Sequence, residues 1–316
     1  MALNFEELVS FAQSADGEAV RRFLQQSLQP VTPKEMLDIF TWATVGFVVE
    51  GDFGTFNGYD LARKLRGALW PFLTQEASDS AKQGLPCTKT PVCLLDLLWS
   101  DAGRLPRGRE IPKPWVLRAS DPVRVPNGRS QSVVQLVLFG LAATFCEDVA
   151  AVLAKAIEGG LRDGSRLQKW HIIDHEILVD EGIDLFQPSK KISLRLLSPL
   201  KLSSNGAIAL NYGTLLETLV DRIEGLGLWH GVKLSCDFRD IRARARNVVI
   251  NDDRSDIGRW TRHSSRTNRL IPMVDTRGAI ELSGDFSGLE PFLTLLPIVH
   301  VGKDTRHGHG WCELSD

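Results

Sequence analysis

Two clusters of side chains in the last third of the chain have the types and spacing to act on an anion. The first runs from Asp237 to Arg277 and holds ten arginines, among them Arg242, Arg246, Arg262 and Arg266, against six aspartates and no lysine or glutamate. That stretch carries +4 and leaves −6 for the rest of a chain whose net charge is −2. A basic stripe on an acidic body is the electrostatic footprint of a polyanion binder. The planar, always-charged guanidinium grips phosphate with paired hydrogen bonds and stacks on bases, which lysine does not do. The alternative is a solvated face neutralised by its own aspartates. The second cluster is Val299-His300-Val301-Gly302-Lys303-Asp304-Thr305-Arg306-His307-Gly308-His309-Gly310. Gly302, Gly308 and Gly310 would let backbone approach a ligand closely and aim N–H groups at phosphate, with Lys303, Arg306 and His307 adding charge. The alternative for this cluster is a turn that joins a helix to the last strand.

Other reactive residues form no comparable set. His171 and His175 are four apart, but the glutamate follows the second histidine, which is not the zinc-protease pattern. No cysteine or carboxylate pair is placed to complete a closed metal site with His307 and His309. The spacing of Cys87 and Cys93 is wrong for a zinc knuckle, so free thiols are expected. Trp229 and His230 end an amphipathic helix and read as core and cap. No metal and no cofactor are expected.

The elements that must position these residues follow from periodicity. A chain of 316 residues suggests about two domains. With 43% hydrophobic and 24% charged residues it is globular, and disordered, collagen-like and coiled-coil classes are excluded. The longest apolar stretch, Val133 to Cys146, is shorter than the roughly 20 residues that cross a bilayer, so no membrane partner is expected. Five scattered cysteines and an acidic N-terminus suit a cytoplasmic protein. Residues 1–38 read as helical, and Phe40 to Val49 as a strand. Tyr59 to Leu73 reads as a helix with Leu61, Leu65 and Leu69 on one face. A strand to about Phe139 leads into a helix through Val149 and Leu153, and residues 84–130 read as long connections and short edge strands. In the second half, Ile192, Leu194 and Leu196 alternate as a strand, and Tyr212 to Leu228 is a helix. An extended arginine-rich region precedes a strand at Ala279 to Gly284, then a helix that Pro297 stops, then a strand from Trp311 to Leu314. Strand, helix, extended region, strand, helix, strand is the ferredoxin-like order. The expected class is therefore α+β, with tandem ferredoxin-like (RRM-like) domains at 39–187 and 188–316 behind a helical N-terminal extension, 1–38.

The C-terminal third resembles a known family. Trp260-Thr-Arg262-His263-Ser264-Ser265-Arg266 is similar to the Arg-Tyr-Ser-x-Arg-Gln signature of CRISPR repeat-processing endoribonucleases, the Cas-six type within the RAMP superfamily. The Val299–Gly310 segment resembles that family's His-Val-Gly-Lys…Gly-x-Gly ending almost position for position. Leu65-Arg66-Gly67, the pair Cys87 and Cys93, and Pro112-Lys-Pro-Trp-Val-Leu117 are weaker matches in the same order. His263 stands in place of the signature tyrosine and Thr267 in place of its glutamine. The first histidine of the chain is His171, whereas many family members carry a catalytic histidine in the first domain.

The resemblance implies metal-independent cleavage of CRISPR precursor RNA at the 3′ base of a repeat hairpin, yielding a 2′,3′-cyclic phosphate and a 5′-OH. It implies the repeat RNA hairpin as a partner, and other Cas proteins of an effector complex. In the absence of a first-domain histidine, Tyr59, Arg66 and His263 are the catalytic candidates, although Arg66 also reads as a helix anchor and Tyr59 as core. Arg242, Arg246, Arg262, Arg266, Gly302, Lys303, Arg306, His307, Gly308 and Gly310 are the RNA-binding candidates. The alternative reading is a non-catalytic subunit that holds the crRNA without cutting it. Residues 1–38 lie outside the resemblance and are expected to dock a neighbouring Cas subunit.

Overall fold

The computed structural model describes residues 3–26, 28–105, 108–163, 166–202, 212–264 and 269–316, with backbone alone at 163, 212, 259–264 and 269–275. The elements in chain order are α1 (Phe5–Ser14), α2 (Gly17–Gln25), β1 (Gln29–Val31), α3 (Pro33–Ile39), β2 (Thr41–Gly51), α4 (Gly58–Gln75), α5 (Asp79–Lys82), α6 (Leu94–Trp99), β3 (Trp115–Ala119), β4 (Val123–Arg124), β5 (Ser130–Phe139), α7 (Cys146–Glu158), β6 (Leu161–Asp163), β7 (Arg166–Gln168) and β8 (Trp170–Glu181). They continue with β9 (Lys191–Leu200), α8 (Tyr212–Trp229), β10 (Val232–Leu234), α9 (Phe238–Arg246), β11 (Val249–Ser264), β12 (Arg269–Ser283), α10 (Glu290–Val299) and β13 (Cys312–Ser315). Two compact units result, residues 1–183 with 223–235 and residues 184–222 with 236–316. Helix α8 therefore begins in the second unit and ends in the first.

In the first unit β2 alternates strictly. Ala43, Val45, Phe47 and Val49 are buried, while Trp42, Thr44, Gly46 and Val48 are half-buried, the period of a strand with one face on a core. It pairs antiparallel with β5 on one side and β8 on the other, in the order β3-β5-β2-β8. Helices α4 and α7 pack together and cover this sheet. Helix α4 starts because the Asn57 side chain accepts from the Asp60 N–H, and it buries Leu61, Leu65, Leu69 and Leu73 at spacings of four. With the crossovers α4 and α7, the strand sequence β2, β3, β5, β8 is the ferredoxin-like arrangement. The elements of residues 3–39 belong to this unit, and Leu8, Leu24 and Met36 are among its most buried residues. His230, at the end of α8, joins them. Its Nδ1 bonds the Leu226 carbonyl at 2.9 Å and its Nε2 accepts from the Thr41 N–H at 3.0 Å, so it caps the helix as a neutral core group.

The second unit repeats the order. Strand β9, with Ile192, Leu194 and Leu196 buried, lies between β12 and β13 in the antiparallel sheet β11-β12-β9-β13. The structure corrects three local expectations. Residues 238–246 are a helix rather than extended chain, because Phe238, Ile241 and Ala245 form a stripe at spacings of three and four and Asp237 caps the N-terminus. Helix α10 continues past Pro297 to Val299. Among residues 84–130, the segment Leu94–Trp99 is a short helix of six residues, too brief to show a period, and its one charged residue, Asp96, is buried against Arg21 at 2.9 Å. The fold is two ferredoxin-like units, as the pattern of elements predicts.

Candidate nucleic-acid interface

The arginine stretch is divided among three backbone settings. Arg239, Arg242, Arg244 and Arg246 lie on α9. Arg242 meets Glu217 at 3.4 Å and Arg244 meets Asp240 at 2.7 Å, whereas Arg246 is exposed in the last turn. Arg254 and Arg277 lie where β11 and β12 join the four-stranded sheet. Beyond Thr276, where pairing with β9 ends, β11 and β12 continue as a two-stranded arm through the pairs Gly258↔Asp275 to Ser264↔Arg269. The backbones of Arg262 and His263 are in this arm, in register with Ile271 and Leu270. Arg266 lies outside the described residues. A two-stranded antiparallel ribbon is a backbone geometry that a nucleic-acid groove can admit.

The glycine segment folds back tightly on the end of β9. The Gly310 N–H donates to the Pro199 carbonyl at 2.9 Å, Val301 N–H to Gly310 at 3.0 Å, and Lys303 N–H to Lys201 at 2.7 Å. Two glycines are dictated by this approach. At Gly302 (φ +91°) a Cβ would lie 2.6 Å from the Lys201 carbonyl oxygen, and at Gly310 (φ +74°) 1.7 Å from that of Val301. The amides of His307 and Gly308 are also engaged, by Asp304 and Thr305 carbonyls. The Gly308 and Gly310 amides are thus engaged within the protein rather than open to a ligand. Lys303 is exposed, and Arg306 and His307 are half-buried on the short turn Thr305–His307.

Asp304, in a left-handed conformation (φ +61°), organises the charges. His307 Nδ1 lies 3.7 Å from its carboxylate, and Lys201 Nζ donates to it at 2.9 Å. His307 and Lys201 together hold that carboxyl far below the usual carboxylate range. His309 is buried beneath, and burial pushes its pKa down to about 4, so it is neutral at pH 7. The His300 Nδ1 bonds the His309 carbonyl at 3.2 Å, and its ring lies parallel to Trp311.

One residue escaped the sequence reading. Arg222 of α8 is 9% exposed, and its Nε donates to the Val299 carbonyl at 2.6 Å. The signal was present, since Arg222 shares a helical face with Leu215, Leu219, Ile223 and Leu226.

In the first unit, Tyr59 is 8% exposed in the first turn of α4. Arg66 is half-buried with its guanidinium 4.9 Å from the centre of the Trp99 ring, a cation–π contact that fixes its orientation. His171 and His175 are exposed on the edge strand β8. Cys87 and Cys93 are free thiols, and the Cys93 N–H donates to the Cys87 sulfur at 3.3 Å. Among the described residues no group of three or more His, Cys, Asp or Glu is placed to hold a metal ion, and no helix is long and apolar enough to cross a membrane.

No family model and no curated protein matches the chain. Solved structures do. A Cas6 product complex superposes with a TM-score of 0.51 at 13% identity, covering 88% of this chain and all of that one. A RAMP protein binding different RNA substrates gives 0.45 at 14% identity, over 87% of this chain and all of that one. A Cas6-related protein from Pyrococcus furiosus gives 0.44 at 11% identity, over 87% of this chain and 99% of that one. The first of these likenesses establishes that the chain has the fold of a Cas6-type RAMP protein.

Proposed function

We propose that the chain is a Cas6-type endoribonuclease that binds a CRISPR repeat hairpin, cuts at its 3′ base and stays on the product crRNA within an effector complex. The observation that carries this reading is the glycine-rich ending of the second ferredoxin-like unit. There the Val299–Gly310 motif is folded back on the end of β9, with Lys303 exposed and Arg306 and His307 half-buried on the same short turn region. Gly302, Gly308 and Gly310 shape that turn. Lys303, Arg306, His307 and the arginines Arg242, Arg246, Arg262 and Arg266 contact phosphates, which fixes the position of the RNA without reading its sequence.

In the reaction the 2′ oxygen attacks the adjacent phosphorus, the bond from phosphorus to the 5′ oxygen breaks, and a proton passes from the 2′-OH to the leaving oxygen. The nucleophile is already tethered beside its target, so positioning and charge stabilisation supply the catalysis. Arg66, held by Trp99, stabilises the phosphorane charge, and Tyr59 and His263 serve proton transfer and alignment. Arg66→Ala is expected to lower the single-turnover cleavage rate by about 100-fold or more while leaving hairpin affinity within a few-fold. His263→Ala and Tyr59→Phe are expected to lower the rate with an altered pH profile. Unchanged rates in all three variants would remove these residues from the mechanism. A second reading, a crRNA-holding subunit without cleavage, is favoured by two observations: no histidine precedes His171, and Tyr59 is largely buried. Binding of the hairpin with no cut would select it.

A further inference from the structure

Arg222 is a buried cation with an incomplete set of partners. Its Nε is spent on the last carbonyl of α10, at Val299, a helix end that favours positive charge. Its Nη2 is closed off from solvent and has no hydrogen-bond partner among the described residues. No carboxylate among those residues pairs with it, and the charge that acts on it is the like charge of Arg306. Burial, and then Arg306, lower its pKa to about 9, so it still carries its proton at neutral pH. Leaving a buried charge and its donors unmatched is costly, and native structures match them. A second cation approaching from the turn Thr305–His307 makes the deficit larger. An oxyanion removes both deficits at once, because a guanidinium donates through a fork that fits tetrahedral oxygens.

The geometry points to a phosphate site at the foot of the glycine-rich segment, in which one phosphate group accepts from Arg222 Nη2 and pairs with Arg306. Its occupant is a backbone phosphate of the bound RNA, an assignment that rests on the RNA-binding reading above. Arg222 then anchors one phosphodiester against α10 rather than touching the scissile bond. Nη2 is enclosed, so entry requires displacement of atoms packed over it.

The test uses the full chain without RNA and inorganic phosphate as the probe. Thermal unfolding is followed while phosphate replaces chloride at constant ionic strength. Phosphate bound only by the folded state raises the midpoint saturably. The wild type is expected to show this rise, Arg306→Gln to lose it, and Arg222→Lys, which keeps the charge but not the fork, to show a smaller one. Arg124→Gln, at an exposed position of β4 in the first unit, is expected to keep the full rise. No phosphate-specific rise in the wild type, or an equal rise in the Arg306→Gln protein, would overturn the site. Should Arg222→Lys fail to fold, the half-buried Arg306 carries the test alone. Hairpin binding measured in parallel separates the two claims. Loss of the phosphate effect with RNA binding intact overturns the site alone. A phosphate effect without RNA binding overturns the assigned occupant.

Discussion

At the scale of single residues, the glycine-rich segment is built by close backbone approach. Gly310→Ala would drive a Cβ to 1.7 Å from the Val301 carbonyl oxygen at φ +74°. It is expected to cost more than about 2 kcal/mol in denaturant unfolding, from strain and displacement together. Gly67 is the opposite case. It lies inside α4, where an added Cβ would meet nothing within 4 Å, so Gly67→Ala is expected to raise stability by about 0.5–1 kcal/mol. The histidines make stability depend on pH. His309 has a native pKa of about 4, and its unfolded value is about 6.5. Between those values the unfolded chain binds a proton that the native chain does not, so stability is full above the upper value and falls as pH drops toward the lower. The loss assigned to His309 is about 3 kcal/mol, and buried His230, also held below its ordinary pKa, adds a slope of the same sign. Denaturation midpoints from pH 8 to pH 4 should show this decline, and His309→Gln should remove its share. Asp304 acts lower still: its pKa is depressed, so its contribution is intact above the ordinary carboxylate range and lost only beneath it.

At the scale of elements, what the sequence revealed depended on whether one period dominated. Strand β2 alternates without a break, and α4 repeats leucine every fourth residue, so both were legible. In α9 the arginine spacings of three, two and two conceal the sparser stripe of Phe238, Ile241 and Ala245 that defines the helix. Helix α6 spans only six residues, and its buried Asp96 interrupts the apolar run, so it offers no period at all. The candidate site was legible as a motif, but its chemistry was not. Hydrogen bonds from the Gly308 and Gly310 amides to neighbouring carbonyls are long-range or turn geometry that no spacing announces. On α9, Arg242 and Arg244 are held in ion pairs while Arg246 is exposed, which sets different expectations for them. Arg246→Ala is expected to weaken hairpin binding by about 1.5–3 kcal/mol and to reduce the salt-dependence slope by about 1, with little change in stability. Arg242→Ala is expected to do less, because Glu217 already competes for that guanidinium.

At the scale of the whole chain, the strand order second-third-first-fourth appears once in each unit. Within residues 1–38, expected as a helical N-terminal extension, Leu8, Leu24 and Met36 are buried in the interior of the first unit. Removing residues 1–38 is therefore expected to destabilise that unit, seen as loss of a cooperative unfolding transition, as well as any docking of a neighbouring subunit. The units were recognisable from the order of elements. The return of residues 223–235 to the first unit was not, because the apolar face of α8 runs unbroken from Leu215 to Leu226 across the division. The central claim is cleavage of repeat RNA, and mapping both product ends after incubation with end-labelled repeat hairpin in excess EDTA tests it most directly. The account predicts one cut at the 3′ base of the hairpin, with a 2′,3′-cyclic phosphate on the upstream product and a 5′-OH on the downstream one. Intact RNA, or products with other termini, would contradict it.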